Sequence, residues 1–171
     1  TCTTQHIAVA GTLDITTSCG VVVQPASGVV VTQHGGLIGV TSTAAFTLHG
    51  SDSPSTRVVG AATVQFDGYE GNVIGLPGSR LDFALLSGSK LIVTGEGAQP
   101  ATPTSKGQTM QTLLFADGGS CAAMVVDATT AECVMCNDEV AIGAGCVAVD
   151  AIANCEEKEA NICYGCAETF Y

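Results

Sequence analysis

The sequence predicts an all-β protein in which a β-solenoid of short strands is followed by a small disulfide-rich C-terminal module. Residues 1–117 are rich in Val, Ile, Thr, Leu and Phe, and glycines divide them at short intervals. Seven of the nine cysteines lie within the last 51 residues. We therefore assign a strand-rich β domain to residues 1–117 and a cysteine-rich, disulfide-stapled module to residues 118–171.

The first half of the β domain has a regular rhythm. Turn residues followed by short apolar runs begin at Gly11, Gly20, Gly28 and Gly36, and Ala44 continues the series. This spacing of about eight residues is typical of a solenoid in which every coil repeats a three-sided path. A β-sandwich or jelly roll is the alternative, because its antiparallel strands also turn every ~8–12 residues.

The second half of the β domain contains a hairpin signal, which favours the sandwich. Residues 80–86 and 90–94 are apolar runs, and Ser87-Gly88-Ser89 separates them. Two polar, proline-bearing segments, 51–56 and 99–105, are predicted to be surface loops.

The charge balance excludes several classes of partner. The chain has sixteen acidic and five basic side chains, so its net charge is -11, and it contains no Lys/Arg cluster. Such a surface repels nucleic acid and anionic membranes, and no apolar stretch is long enough for a helix to span a bilayer. A cationic partner or calcium is compatible with it. The start at Thr1 fits a secreted protein whose signal peptide has been removed.

The C-terminal cysteines form two similar units. Each unit has one cysteine, a gap and a Cys-X-X-Cys, and the first closes with a fourth cysteine: Cys121, Cys133, Cys136 and Cys146, then Cys155, Cys163 and Cys166. The second unit has no fourth cysteine before Tyr171. We therefore expect the partner of the odd cysteine to lie beyond the end of this chain or on another molecule.

Two chemistries suit cysteines at this density, disulfides and zinc. We expect disulfides at all nine positions, the seven above together with Cys2 and Cys19. Cys2 and Cys19 pair either with each other or with cysteines of the C-terminal module. A bond between the two would stabilise the folded protein by about 3 kcal/mol. Zinc held by the two Cys-X-X-Cys pairs is the alternative, but it leaves the other cysteines unused and has no basic residues around the thiolates.

These units resemble a known family of repeats. Residues 133–146, and residues 154–171 with Phe170-Tyr171 after the last cysteine, are similar to the furin-like or growth-factor-receptor-like cysteine repeats of protist (ciliate-type) surface proteins. The first unit has Val140-Ala-Ile where the family has an aromatic residue. The resemblance covers residues 121–171 only, and it implies a secreted or cell-surface location.

Motifs for catalysis are absent from the sequence, so we predict a protein that is not an enzyme and holds no cofactor. The sequence has no nucleophile elbow, no P-loop, no dinucleotide fingerprint and no His-Glu-X-X-His. Asp67, Tyr69 and Glu70 surround Gly68 and are our candidates for contact with a glycan or calcium. The alternative is that they decorate a turn.

These observations predict an extracellular structural or cell-surface protein that assembles into a filament, coat or matrix. Its expected partners are copies of itself or other surface and matrix proteins. A carbohydrate-binding or carbohydrate-active solenoid module is the first alternative. The second is an ice- or mineral-binding protein whose flat face would carry Thr12, Thr16, Thr17, Thr32, Thr41 and Thr43.

Overall fold

The computed structural model describes part of the chain in detail. It gives the backbone of residues 5–9, 12–15, 21–101, 103, 109–116, 121–136, 140–142, 145–147, 155–159 and 162–166. It describes the side chains of residues 21–98, 100–101, 103, 109–116 and 121–135. Every regular element in these ranges is a strand, which confirms the all-β prediction.

Sixteen strands fall within the described ranges. They are β1 (Gln5–Val9), β2 (Thr12–Ile15), β3 (Val21–Pro25), β4 (Val30–His34), β5 (Leu37–Ser51), β6 (Ser55–Gly75), β7 (Arg80–Leu86), β8 (Lys90–Gly95), β9 (Gln99–Pro100), β10 (Gln111–Ala116), β11 (Cys121–Val126), β12 (Ala131–Cys136), β13 (Val140–Ile142), β14 (Gly145–Val147), β15 (Cys155–Glu159) and β16 (Ile162–Cys166).

Strands β1 to β8 stack in parallel as a β-solenoid, which confirms the first of the two predicted architectures. The paired strands form two rows, each a stack of parallel strands along the solenoid. Row one contains β1, β3, the start of β5, both ends of β6, and β8. Row two contains β2, β4, the end of β5, the middle of β6, and β7. One turn takes between 16 residues, from Gln5 to Val21, and 20 residues, from Glu70 to Lys90.

The predicted three-sided path is wrong, because each turn has two rows. Gly28 and Gly36 both have positive φ, but they lie at opposite bends of the same turn. The spacing of about eight residues is therefore the length of one strand together with the bend that follows it. Two such lengths already complete a turn, as the pairing of Val23 with Val40 and of Val40 with Val58 shows.

The predicted hairpin between residues 80–86 and 90–94 is also wrong. Strand β7 pairs with β6 and β10, whereas β8 pairs with β6 and β11. Ser87 and Gly88, both with positive φ, form a bend that carries the chain from row two to row one. The local signal misled because a left-handed glycine serves a hairpin turn and a solenoid bend equally well.

Columns of apolar side chains between the two rows form the core. Alternate residues of each strand point inward, and parallel pairing places the inward residues of successive turns above one another. In row two, Val31 pairs with Leu48, Leu48 with Phe66, and Phe66 with Leu85, and all four are buried. This continuous burial holds the turns together.

Antiparallel strands close the C-terminal end of the solenoid. Strand β10 pairs with β7, β11 pairs with β8, and β12 then pairs with β11. Cys121, Met124 and Val126 belong to the same buried core as the solenoid. The sheet and core therefore cross the predicted boundary between residues 117 and 118, because the first cysteine unit supplies inward-facing apolar residues of its own.

Two short antiparallel pairs follow along the chain. Strand β13 pairs with β14, and β15 pairs with β16. Each is a separate two-stranded sheet.

Candidate functional site

The chain changes rows at two columns of bends. At the first bend the chain passes from row one to row two, and the residues there are 26–29, 41–44, 59–60, 76–79 and 96–98. At the second bend it passes from row two back to row one, and the residues there are 35–36, 52–54, 68–69 and 87–89. Every described residue with positive φ lies in one of these two columns. At the first bend all of these residues are glycines.

The second bend differs, because three of its left-handed residues are not glycine. Asp52, Ser53 and Ser87 have φ of 59°, 53° and 47°. This conformation is uncommon for residues with a Cβ, although Asp tolerates it better than most. Backbone strain of this kind persists where the surrounding structure enforces it, and it concentrates at functional sites. The second bend is therefore our candidate site.

An open groove of about 360 Å³ runs over the second bend. We call it the second-bend groove. It is lined by Gly50, Ser51, Asp52, Ser53, Gly68, Glu70, Ser87 and Gly88. A neighbouring depression of about 250 Å³ shares Ser53 and Glu70 and adds Gly71, Asn72, Lys90 and Ile92. Hydroxyls, carboxylates, one amide and one ammonium thus face solvent along one side of the solenoid.

Two glycines allow the chain to pack tightly beneath this groove. A Cβ on Gly50 would lie 2.5 Å from the Tyr69 ring and 2.6 Å from the ring of Pro54. A Cβ on Gly71 would collide with the carbonyl oxygen of Pro54. Any larger residue at either position would push successive turns apart, so these glycines set the depth of the groove.

A buried polar network supports the bend from inside. The Gln33 side-chain amide donates to the carbonyl oxygens of Gly35 at 3.2 Å, Gly36 at 3.0 Å and Ser55 at 2.9 Å. Gln33 is fully buried, so these hydrogen bonds offset the desolvation of its amide and fix the backbone of the bend. The Thr56 hydroxyl donates to Gln33 Oε1 at 3.2 Å.

Tyr69 completes this network and is fully buried, which corrects its predicted role as a glycan or calcium contact. Its hydroxyl oxygen lies 2.8 Å from Thr56 Oγ1 and 3.2 Å from the carbonyl oxygen of Asn72. Its ring packs on Phe66, with ring centroids 5.0 Å apart. Burial raises the pKa of Tyr69, and the hydrogen bond with Thr56 opposes part of that rise. Tyr69 is thus a core residue beneath the groove.

The two candidate carboxylates lie in different rows, because Asp67 pairs with Leu86 in row two and Glu70 pairs with Lys90 in row one. Glu70 is exposed and lines the second-bend groove. Asp67 is not among the lining residues, and its Oδ2 lies 3.7 Å from Nδ1 of His49. The sequence analysis missed Asp52, Ser87 and Lys90, because only the true length of a turn shows which residues become neighbours.

Metal binding at this bend stays a prediction. Within the part of the chain that the structure describes, no three His, Cys, Asp or Glu side chains lie close enough together to hold a metal ion. His34 Nδ1 lies 3.0 Å from Ser51 Oγ, and His49 Nδ1 lies 2.6 Å from the carbonyl oxygen of Asp67.

One disulfide lies within the described side chains. Cys121 and Cys133 are bonded, with an S–S distance of 2.11 Å and a Cα–Cα distance of 5.7 Å. This confirms disulfide chemistry for the pair and takes the Cys133 thiolate away from the alternative zinc site. For the other C-terminal cysteines the side chains lie outside the described part, and Cys2 and Cys19 lie outside it entirely.

Four of the threonines predicted to form an ice- or mineral-binding face lie in the described part of the chain, and these four do not share one column. Thr32 lies in row two and pairs with Asp14 and His49, while Thr41 and Thr43 lie at the first bend. Thr12 lies in β2, and residues 16 and 17 lie outside the described part. The four described threonines therefore do not form the repeated threonine column that such a face requires.

Comparisons with known proteins add no relative. No family model, curated protein or solved structure matches this chain. The residues described by the structure contain no helix with the length and apolar character needed to cross a membrane. The fold and the second bend are therefore the basis for the functional proposal.

Proposed function

We propose that this chain is an extracellular structural or cell-surface protein that assembles with copies of itself into a filament, coat or matrix. The observation that carries the proposal is the edge of the described stack at β1 and β2, whose outer side has no strand partner among the described residues. A stack of parallel strands with an unpaired edge offers backbone donors and acceptors to another strand.

The open edge lies at the N-terminal end of the stack. Strand β1 pairs with β3, and β2 pairs with β4. Within the described residues, neither β1 nor β2 has a partner on its other side. Two copies meeting edge to edge through β1 and β2 would satisfy those backbone groups in a two-fold symmetric contact.

The opposite end offers a different contact. The large apolar side chains that are exposed in the described part all belong to the last turn and its cap, and they are Ile92, Met110, Leu114, Val134 and Met135, from 45% to 60% exposed. We propose that these side chains contribute to an association surface at this end. Alternating contacts at the two ends would extend a filament without closing a ring.

The proposed location rests on the disulfide and the charge. A structural disulfide persists in oxidising compartments, outside the cell or on its surface. Cys121–Cys133 belongs to the buried core, as expected for a structural bond. The net charge of -11 keeps an exported protein soluble before assembly.

A matched pair of proline variants in β1 tests the edge contact. Neighbouring residues of a strand direct their N–H groups to opposite sides, so His6→Pro and Ile7→Pro remove donors from opposite sides of β1. The variant that loses the outward donor should stay monomeric in sedimentation velocity at concentrations where the unchanged protein assembles. The variant that loses the donor to β3 should instead unfold at a lower temperature.

Electron microscopy of the native material supplies the decisive control. Filaments, sheets or coats support the proposal. The proposal fails if the unchanged protein is a dispersed monomer by microscopy and by sedimentation at every concentration, and if both proline variants behave alike.

A second candidate function is carbohydrate binding at the second-bend groove. The observation that favours it is the line of hydroxyls, carboxylates and Lys90 over a strained bend. Binding of a glycan panel should weaken at least tenfold in Glu70→Gln. Glu132→Gln is the matched control, because Glu132 is also exposed but lies on β12. Equal effects of the two variants would remove this candidate.

A further inference from the structure

We call β11 with β12 the first cysteine hairpin and β15 with β16 the second. The second hairpin repeats the strand register of the first. In β11 and β12, Cys121 pairs with Cys136 and Met124 with Cys133, with Ala123 opposite Met135 between them. Register shifts separate these three pairs. In β15 and β16, the pairs are Cys155 with Cys166, Glu157 with Gly165 and Lys158 with Cys163, and shifts again separate them.

The shared register does not come from shared composition. Strand β11 is apolar, with the sequence CAAMVV, whereas β15 is charged, with the sequence CEEKE. Four residues separate β11 from β12 in the sequence, whereas two separate β15 from β16. What the hairpins share is one cysteine at the start of the first strand and a Cys-X-X-Cys at the end of the second.

In the first hairpin, the irregular register occurs together with a disulfide between cysteines that are not paired in the ladder. Cys121 lies opposite Cys136 in the ladder, yet its disulfide is with Cys133. The Cα–Cα distance of that pair is 5.7 Å, inside the range of about 4.4–6.8 Å that a disulfide spans. The shifts therefore favour the first cysteine of the Cys-X-X-Cys as the partner.

We infer that Cys155 and Cys163 form a disulfide, because they occupy the register positions of Cys121 and Cys133. Two thiols lose two protons and two electrons as the S–S bond forms. A small-molecule or protein disulfide accepts the electrons through a mixed disulfide and leaves as two thiols. This pairing leaves Cys136 and Cys166 at equivalent positions for the remaining bonds.

Peptide mapping without reduction tests the inference on the full chain. Cleavage after glutamate, before aspartate and after tyrosine separates the cysteines into peptides 150–156, 160–164 and 165–168. We expect peptide 150–156, with Cys155, to be joined to peptide 160–164, with Cys163. Joining of 150–156 to 165–168, or to any other peptide, would overturn the inference.

A variant pair adds a second measurement. In Cys155→Ser, we expect Cys163 to become alkylated without prior reduction, with little change at Cys166. Cys121→Ser is the matched control, and it should free Cys133 instead. Unchanged labelling of Cys163 in Cys155→Ser would contradict the pairing.

The test also separates this inference from the proposed function, on which it rests only for the oxidising compartment. If Cys121–Cys133 is found and Cys155 and Cys163 are free thiols, the pairing is wrong and the compartment stands. If native material contains only free thiols, both are wrong.

Discussion

The solenoid body (residues 21–98) and the first cysteine hairpin (residues 121–136) belong to one sheet but are stabilised differently. The body stacks rows of buried side chains, and each turn repeats the contacts of the turn before it. The hairpin buries Cys121, Ala123, Met124, Val126 and Cys133, and it also has one disulfide and one tight turn. The difference follows from position, because a turn inside a stack has neighbours on both sides and a cap has them on one.

The comparison shows that one part of the fold stabilises the stack of strands and another part ends it. The body gains from every turn added, but by itself it would end in an exposed row of backbone groups. Antiparallel β10 and β11 cover that row at the C-terminal end. The covalent bond between Cys121 and Cys133 adds to the buried apolar contacts of Met124 and Val126 in this terminal hairpin. We therefore expect the body to be sensitive to truncation of the core and the hairpin to be sensitive to reductant.

The largest expected effect comes from Phe66→Ala in the body. Phe66 is fully buried, and its ring lies between Tyr69 and Phe83, at centroid distances of 5.0 Å and 6.5 Å. Its removal leaves a cavity that the stacked rows cannot fill, and the free energy of unfolding should fall by about 3–5 kcal/mol. Urea unfolding under non-reducing conditions measures the change.

The control for this variant is Leu114→Ala on the outer side of β10. Leu114 is 49% exposed, so its truncation should change the free energy of unfolding by no more than about 0.5 kcal/mol. A loss below about 1 kcal/mol for Phe66→Ala would show that the columns between the rows do not stabilise the body.

The next effect is loss of the disulfide in Cys121→Ala/Cys133→Ala. The bond closes a loop with a sequence separation of 12, so its removal should lower the free energy of unfolding by about 3 kcal/mol. Amide hydrogen exchange should accelerate in β11 and β12 while the core strands of β5 and β6 stay protected. Uniform acceleration across all strands would contradict a division between body and hairpin.

The sequence predicted the fold class because the rhythm of turn residues and apolar runs does not depend on how the rows pack. It could not predict the number of rows, since runs of about eight residues fit a path of two or three sides. The choice depends on what fills the core. Here Phe46, Phe66 and Phe83 fill the space between two opposed rows.

The candidate site was predicted only in part for a related reason. Glu70, a predicted glycan or calcium contact, lines the groove, but Asp52 and Ser87 join it only through the true length of a turn. Tyr69 was misjudged because Gly68, with φ of 62°, resets the alternation of the strand. Side chains alternate between the two faces of a strand, so counting in steps of two from buried Phe66 predicts that Glu70 points inward. The structure instead buries Tyr69 and exposes Glu70.

A smaller effect is expected from Tyr69→Phe, which probes the buried polar network of the body. The change leaves the ring in place and removes the hydroxyl that contacts Thr56 and the carbonyl group of Asn72. A buried group that loses its partner destabilises by about 1–3 kcal/mol. Chemical unfolding of Tyr69→Phe, Thr56→Val and the double variant measures the coupling between the two hydroxyls. Strictly additive losses would show that they do not depend on each other.

The smallest effect belongs to the turn of the hairpin, where Asp127 controls a pH dependence. Its Oδ1 accepts hydrogen bonds from the backbone N–H groups of Thr129 and Thr130, both at 2.7 Å, and from the Thr129 hydroxyl at 2.9 Å. These bonds hold the pKa of Asp127 well below its ordinary value. Because the pKa of the folded state is the lower one, the stabilisation is fully present above the unfolded pKa of about 3.9 and is lost as the pH falls below it.

The variant Asp127→Asn isolates this carboxylate, since it keeps the shape of the side chain and removes the charge. At neutral pH the unchanged protein should be more stable than the variant by less than about 1 kcal/mol, because the turn is close to solvent. The difference should shrink as the pH is lowered from about 5 to about 3 in parallel thermal unfolding experiments. A difference that stays constant over this range would mean that the charge of Asp127 does not stabilise the turn.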